Sequence, residues 1–313
     1  MKLSVIITTY NHERFLAQAL SSALAQRVNF EYEIIVGEDC STDATREILM
    51  DFHQRHPEKI IPLLRERNLG RMRNFNETVA ACRGEYLAIL EGDDYWTRED
   101  KLQIQADFLD RHPDHVLCCA RALFVKEGAP GDPEVQPQLP AGSYAITDLF
   151  AVNPVVTCTV MYRRSVVVPL PDWTRGLKMR DWPLHILVAR SGKIGLLDEV
   201  TSTYRIHPGG AWSCLSPQEQ KLAIVEMFKM LEKHLDSQYT KAIRGALAHR
   251  YLDLANGARF TGNRMQTAKY LLTYARNGGL RLPLNRFVAG LAAYTVIGSG
   301  YRMFSRAKPA NGS

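Results

Sequence analysis

Residues 90–96 read L-E-G-D-D-Y-W and set three carboxylates, Glu91, Asp93 and Asp94, beside a glycine. The preceding stretch, 85–90, is apolar enough for a buried strand. A buried strand that ends in three acids calls for a cation. Carboxylate oxygens suit the hard ions Mg2+ and Mn2+, which in turn bind diphosphates. The first expectation is therefore a metal–diphosphate site. A solvated acidic turn is the alternative that this stretch alone leaves open. A second acidic strand end comes earlier, at Glu38 and Asp39. In a parallel sheet the carboxyl ends of the strands lie on one edge, where ligands collect, so the two clusters can share a pocket.

The elements that must position these groups alternate along the chain. Strands are expected over 3–9, 33–37, 60–64, 85–90 and 116–122. Helices are expected from Asn11 or His12 to 26, from Thr42 or Asp43 to 56, up to 83, and from a Thr97–Asp100 cap to 112. Such alternation argues for an α/β fold, a mostly parallel sheet flanked by helices. Residues 127–142 are rich in Pro and Gly and read as an exposed loop. Strands are expected over 155–162, 193–197 and 200–206, and a short helix over 181–190. From residue 216 the pattern is helical, with segments near 217–236, 240–259 and 264–276.

Charge divides the 313 residues unevenly. The net charge is +6, but residues 215–313 carry 15 Lys+Arg against 5 Asp+Glu, a balance of +10, which leaves −4 for residues 1–214. A basic end points to an anionic surface. Residues 287–300 are mostly apolar between basic flanks, yet short of the ~20 residues that span a bilayer. An interfacial helix and a core-packing helix both remain open there. Six cysteines without a C-x-x-C pair read as reduced, cytosolic usage. The N-terminus lacks the pattern of a signal peptide. No P-loop and no G-x-G-x-x-G occurs, so ATPase and dehydrogenase readings lack support.

Five motifs together resemble family 2 glycosyltransferases. They are S-V-I-I-T-T-Y-N (4–11), E-I-I-V-G-E-D-C-S-T-D-A-T (33–45, where the family has a D-D-G-S-T-D run), R-N-L-G (67–70) leading to R-G-E-Y-L-A-I-L-E-G-D-D-Y-W (83–96), M-R-D-W (179–182), and Y-R-I-H-P-G-G-A-W-S (204–213). The resemblance covers residues 3–213. It implies a GT-A fold over 1–214 and leaves 215–313 as a basic helical, membrane-associating extension.

The resemblance also implies roles. Asp39 would bind the nucleobase, with Thr9 and Tyr10 beside it. Asn68 and Arg71, or their neighbours Arg67 and Arg73, would meet nucleotide or phosphate. Asp93 would hold Mn2+ or Mg2+, together with His207. Glu91, longer than the family's Asp, would reach ribose or metal-bound water, and Asp94 the sugar. Asp181, at a helix start where the dipole favours a carboxylate, would be the catalytic base. Arg205 would offset diphosphate charge, and Trp212 would seal the closing loop over the donor. The expected activity is an inverting transfer from a nucleotide-diphosphate sugar, UDP favoured. The acceptor would be a hydroxyl of a glycan or lipid-linked molecule, at the inner face of the cell membrane, with no nucleic-acid partner. A sugar nucleotidyltransferase and a non-catalytic binding module on the same fold are the alternatives.

Overall fold

In the computed structural model the described residues are 1–128, 132–167 and 171–279, together with 288, 291, 292 and 295. The chain divides into two units, Met1–Cys214 and Leu215–Ser313.

The first unit is built on one mixed sheet. Its elements in chain order are β1 (Leu3–Thr9), α1 (Leu16–Leu24), β2 (Tyr32–Glu38), α2 (Thr45–Arg55), β3 (Ile60–Leu64), α3 (Arg71–Ala81), β4 (Tyr86–Glu91), β5 (Tyr95–Trp96), α4 (Lys101–Arg111), β6 (His115–Lys126), β7 (Glu134–Gln136), β8 (Gly142–Tyr144), α5 (Asp148–Ala151), β9 (Met161–Arg163), α6 (Asp181–Val188) and β10 (Lys193–Ile206). The strand order is β3-β2-β1-β4-β9-β6-β10-β5, with β7 on β6 and β8 on β10. β1 to β4 run parallel. β9 is antiparallel to both β4 and β6, while β6 and β10 are parallel to each other.

A parallel strand covered on both faces needs a near-continuous apolar run, and β1 is accordingly buried along almost all of its length. Its one early polar residue, Ser4, donates to Glu33 Oε1 at 2.7 Å and accepts the Gly84 N–H at 2.8 Å. Arg83 then neutralises Glu33 through Nε at 2.9 Å. A Cβ on Gly84 would stand 2.3 Å from Ser4 N, so only glycine lets the turn before β4 lie this close to β1. Helix α1 seats Leu16, Ala19, Leu20 and Ala23 on the sheet, the spacing of one helical face.

Several boundaries differ from the sequence expectation. Helix α1 starts at Leu16, not at residue 11 or 12, because Asn11 takes φ 56° and its side chain accepts the Thr42 N–H. Thr97 does not cap α4: the helix opens at Lys101 with Asp100, not Thr97, at its N-cap position, and the Asp100 carboxylate is bound to Arg98. The expected loop 127–142 contains β7, and β8 begins at its last residue. The expected strand 155–162 is a 3-10 turn, Thr157–Thr159, followed by β9. The two short strands near 193–206 are one strand, β10, with register shifts between Leu196 and Val200.

The second unit contains α7 (Pro217–His234), α8 (Thr240–Phe260) and α9 (Arg264–Arg276). Ser216 and Glu219 form a reciprocal capping box, and Pro217 fills the first turn. Phe228, Leu231, Leu247, Tyr251 and Tyr270 are buried, and the Tyr251 and Tyr270 rings lie 6.2 Å apart. The apolar segment 287–300 falls outside the described residues apart from 288, 291, 292 and 295.

Lys101 opens α4 fully buried, with Nζ donating to Gln105 Oε1 at 2.6 Å and lying 4.3 Å from the Trp96 ring. Burial pushes its ammonium down from 10.5 to about 7. Above about pH 7 the unfolded chain therefore keeps a proton that the folded chain has lost. Stability then rises with pH from 7 toward 10.5, by about 1.4 kcal/mol per unit from this group. Urea denaturation between pH 7 and 9 is expected to show the rise in the wild type and to lose it in Lys101→Met. Equal slopes would refute the assignment.

Candidate active site

Parallel pairing brings the ends of β1, β2 and β4 to one edge: Thr9 lies beside Glu38, and Thr8 beside Glu91. Glu38, Asp39 and Asp94 are buried, Glu91 and Asp93 half-buried, and each finds a different partner. Glu38 accepts the Ser41 N–H at 2.6 Å and pairs with Arg46 Nε at 2.6 Å. Asp39 accepts the N–H groups of Leu69 at 2.7 Å and Gly70 at 3.0 Å, so it fixes the R-N-L-G loop. Burial raises its carboxyl pKa, and those two amides work against the rise. Asn68 accepts from the same Gly70 N–H at 2.9 Å. Tyr10 is 41% exposed just beyond β1, while Thr9 is buried with its Oγ1 lacking a hydrogen-bond partner.

Asp93 Oδ2 lies 3.1 Å from His207 Nε2 and 3.8 Å from His12 Nε2. Burial acts to raise the Asp93 pKa, but the His207 hydrogen bond and the nearby His12 together hold it below the usual carboxylate value. Burial lowers His12, with Asp93 opposing. Gly92 is the contact point: a Cβ there would meet Thr9 Oγ1 at 2.7 Å and His12 Nδ1 at 2.8 Å. His207 is buried against the Phe15 ring at 4.7 Å, and its backbone oxygen receives the Gly210 N–H and the Ser213 hydroxyl, which folds the closing loop back on itself. Trp212 lies half-buried in that loop.

Asp94 faces inward. Its Oδ1 accepts the Arg205 N–H at 2.8 Å, and burial, with Asp93 and Glu91 adding to it, raises its pKa well above the ordinary value. The Arg205 guanidinium donates to the Asp93 carbonyl at 2.5 Å and to Gln18, and stacks 4.5 Å from the Tyr95 ring. It therefore ties β10 to the acidic turn.

On the other flank Arg180 Nη2 lies 3.1 Å from Glu91 Oε1 and its guanidinium covers the Phe75 ring at 4.1 Å. Burial lifts Glu91 to about 7 even though Arg180 opposes it. The next residue, Asp181, opens α6 and accepts the Thr157 hydroxyl at 3.1 Å. Arg71, at the start of α3, donates to the Lys178 carbonyl at 3.3 Å. Arg73 instead pairs along its own helix with Glu77. His12, Arg180 and Thr157 are site neighbours that sequence reasoning passed over. Arg180 adjoins Asp181 in M-R-D-W and His12 follows Asn11, so adjacency to a motif was the available sign.

Among the described residues no three His, Cys, Asp or Glu side chains form a metal cage by themselves. Asp93 with His207 offers an oxygen–nitrogen donor pair that suits Mn2+, or Mg2+ through the oxygen. Glu91 Oε2 and Asp94 Oδ2 are buried with no hydrogen-bond partner. Unanswered acid of this kind fits a divalent cation.

A mixed sheet with its acids gathered at the carboxyl edge fits the GT-A class of fold. Residues 4–168 match the sequence model of glycosyl transferase family 2, and the chain belongs to that family. It is 37% identical over 210 residues to an uncharacterized protein of Mycobacterium tuberculosis, a match that covers 67% of this chain and 60% of that relative. The crystal structure of Staphylococcus aureus TarS 1–349 in complex with UDP-GlcNAc is similar at TM-score 0.68 and 20% identity, over 98% of this chain and 93% of that one. A mannosyltransferase of Pyrobaculum calidifontis, in complex with GDP-Man and Mn2+, is similar at TM-score 0.61 and 13% identity, over 95% of this chain and 88% of that one.

Removing one member of a buried ion pair leaves the other charge uncompensated, at about 3–5 kcal/mol. Arg180 and Glu91 are half-buried and Glu91, lifted to about 7, can take up a proton, so Arg180→Met is expected to cost less, about 1–3 kcal/mol, and Arg180→Met with Glu91→Gln to recover much of it. Urea unfolding of the two single variants and the double closes the cycle. Additive losses would show that the pair does not hold the site together.

Proposed function

We propose that the chain is an inverting glycosyltransferase that moves a sugar from a UDP-sugar to a hydroxyl of a glycan or lipid-linked acceptor, in cell-surface polysaccharide synthesis. The observation that carries the reading is the line of contacts along one sheet edge. His207 meets Asp93, Arg180 meets Glu91, and Thr157 holds Asp181 at the next residue. Such a line supports reading Asp93 as a cation-binding carboxylate and Asp181 as the base of one site. The complexes of the two structural relatives, one with UDP-GlcNAc and one with GDP-Man and Mn2+, support a nucleotide-sugar donor and a divalent ion.

In this reading Asp39, Thr9, Tyr10 and the Asn68 loop receive the nucleoside, and Arg71 faces the phosphates. Asp93 and His207 would hold Mn2+ or Mg2+, which when bound would offset the charge that develops on the diphosphate. Asp181 takes the proton of the acceptor hydroxyl as that oxygen bonds to the anomeric carbon. The bond from that carbon to the diphosphate oxygen breaks in the same displacement, and the configuration inverts. Arg205 keeps the Asp93–Asp94 turn in place, and Trp212 closes over the donor. The basic region 215–313 attaches the enzyme to the anionic inner face of the cell membrane. None of the described helices is long and apolar enough to cross a bilayer.

Calorimetric titration with UDP, GDP and dTDP, with and without Mn2+, tests the site. Metal-dependent binding of UDP that is lost in Asp93→Asn is the expected result. Asp181→Asn is expected to keep UDP binding while transfer falls by about a thousandfold, the middle of the range for a general base. Folded protein that binds none of the three nucleotides would overturn the reading.

A further inference from the structure

The three most exposed large apolar side chains among the described residues all lie in the second unit: Met265 at 84%, Phe260 at 81% and Leu272 at 54%. Two of them flank one turn. Phe260 ends α8, Gly262 reverses the chain at φ 75°, and Asn263 caps α9 by accepting the Gln266 N–H at 3.0 Å. Each is preceded by an arginine, in the pairs Arg259-Phe260 and Arg264-Met265.

The stripe continues along α9. Met265, Lys269, Leu272 and Arg276 recur at i, i+4, i+7 and i+11 and are all exposed, so they share one face. Thr267, Tyr270 and Tyr274 fill the opposite, buried face. No Asp or Glu follows Asp253 in the sequence, while nine Lys and Arg do. A solvated helix face is normally polar throughout, and lysine is depleted at protein interfaces. Apolar side chains among cations, with no anion on α9, match the boundary between lipid headgroups and acyl chains.

We propose that the α8–α9 turn and the outer stripe of α9 dock on an anionic lipid bilayer. Phe260 and Met265 enter the acyl boundary, and Lys269 and Arg276 meet headgroup phosphates. This rests on the membrane attachment read above. It names the element that makes the attachment, in place of segment 287–300.

Flotation of the full chain with vesicles of phosphatidylcholine alone, or mixed with phosphatidylglycerol, tests it. Binding to the mixed vesicles only, weakened by salt, is expected. Phe260→Ser with Met265→Ser is expected to cut that binding by about tenfold or more, since two large apolar side chains no longer leave water, and to leave UDP binding unchanged. Phe260→Trp should show a blue-shifted emission on the mixed vesicles. If the double variant floats like the wild type, another element makes the contact and the inference fails while the attachment stands. If the wild type binds neither vesicle, both fail, and the nucleotide titration still judges the catalytic reading separately. A concentration-dependent dimer that the double substitution abolishes would assign the stripe to a second copy and overturn the proposal.

Discussion

Five carboxylates, Glu38, Asp39, Glu91, Asp93 and Asp94, follow two strand ends into a buried edge, and an isolated charge there would cost several kcal/mol. They are answered from four different parts of the chain. Arg46 comes from α2, the Leu69 and Gly70 amides from the loop before α3, Arg180 from the approach to α6, and His207 and the Arg205 amide from the end of β10. The acids thus dictate where four separate segments must go. Holding the fold together and building the site are one electrostatic problem, and the two carboxylate oxygens left without a partner are the part of it that a bound cation would complete.

Much of this was legible in the sequence. β1 and β4 announce themselves because a strand covered on both faces must be apolar throughout. The acidic ends are equally plain, and the three helices of the second unit follow from their apolar spacing. The misread parts depend on partners far away in sequence. Nothing local to residues 11–15 shows that the Asn11 side chain will bind the Thr42 amide and delay α1. Nothing near Arg180 shows that it will pair with Glu91, 89 positions earlier. Likewise the Arg98–Asp100 pair competes with a helix cap that composition alone favours.

Among the described residues, the two non-glycine residues held at positive φ bear on the same edge. Asn11 at φ 56° and Cys40 at φ 60° each follow close on a strand end, β1 and β2 in turn. Cys40 stands where the family run D-D-G-S-T-D has glycine, so this chain carries a side chain in a left-handed position that favours none, at a cost of order 1 kcal/mol or more. The two turns are knitted together: the Asn11 N–H donates to Ser41 Oγ at 3.0 Å, and Asn11 Oδ1 accepts the Thr42 N–H at 2.9 Å. These bonds hold the conformations that place Thr9 and Asp39 side by side.

The pairing of β10 has a consequence for the order in which the protein is made. Strands β1 to β4 come from the first 91 residues and can assemble as soon as those emerge from the ribosome. β10 pairs with β6 across roughly eighty residues of chain, and it alone delivers Arg205 and, just past its end, His207. Contacts so distant in sequence form late, because the loop they close must be ordered first. The nascent chain therefore carries the acids at the end of β4, Glu91, Asp93 and Asp94, before it carries Arg180, Arg205 and His207, which answer them. Until the fourteen residues of β10 and His207 just past them arrive, that end of β4 lacks its last partners.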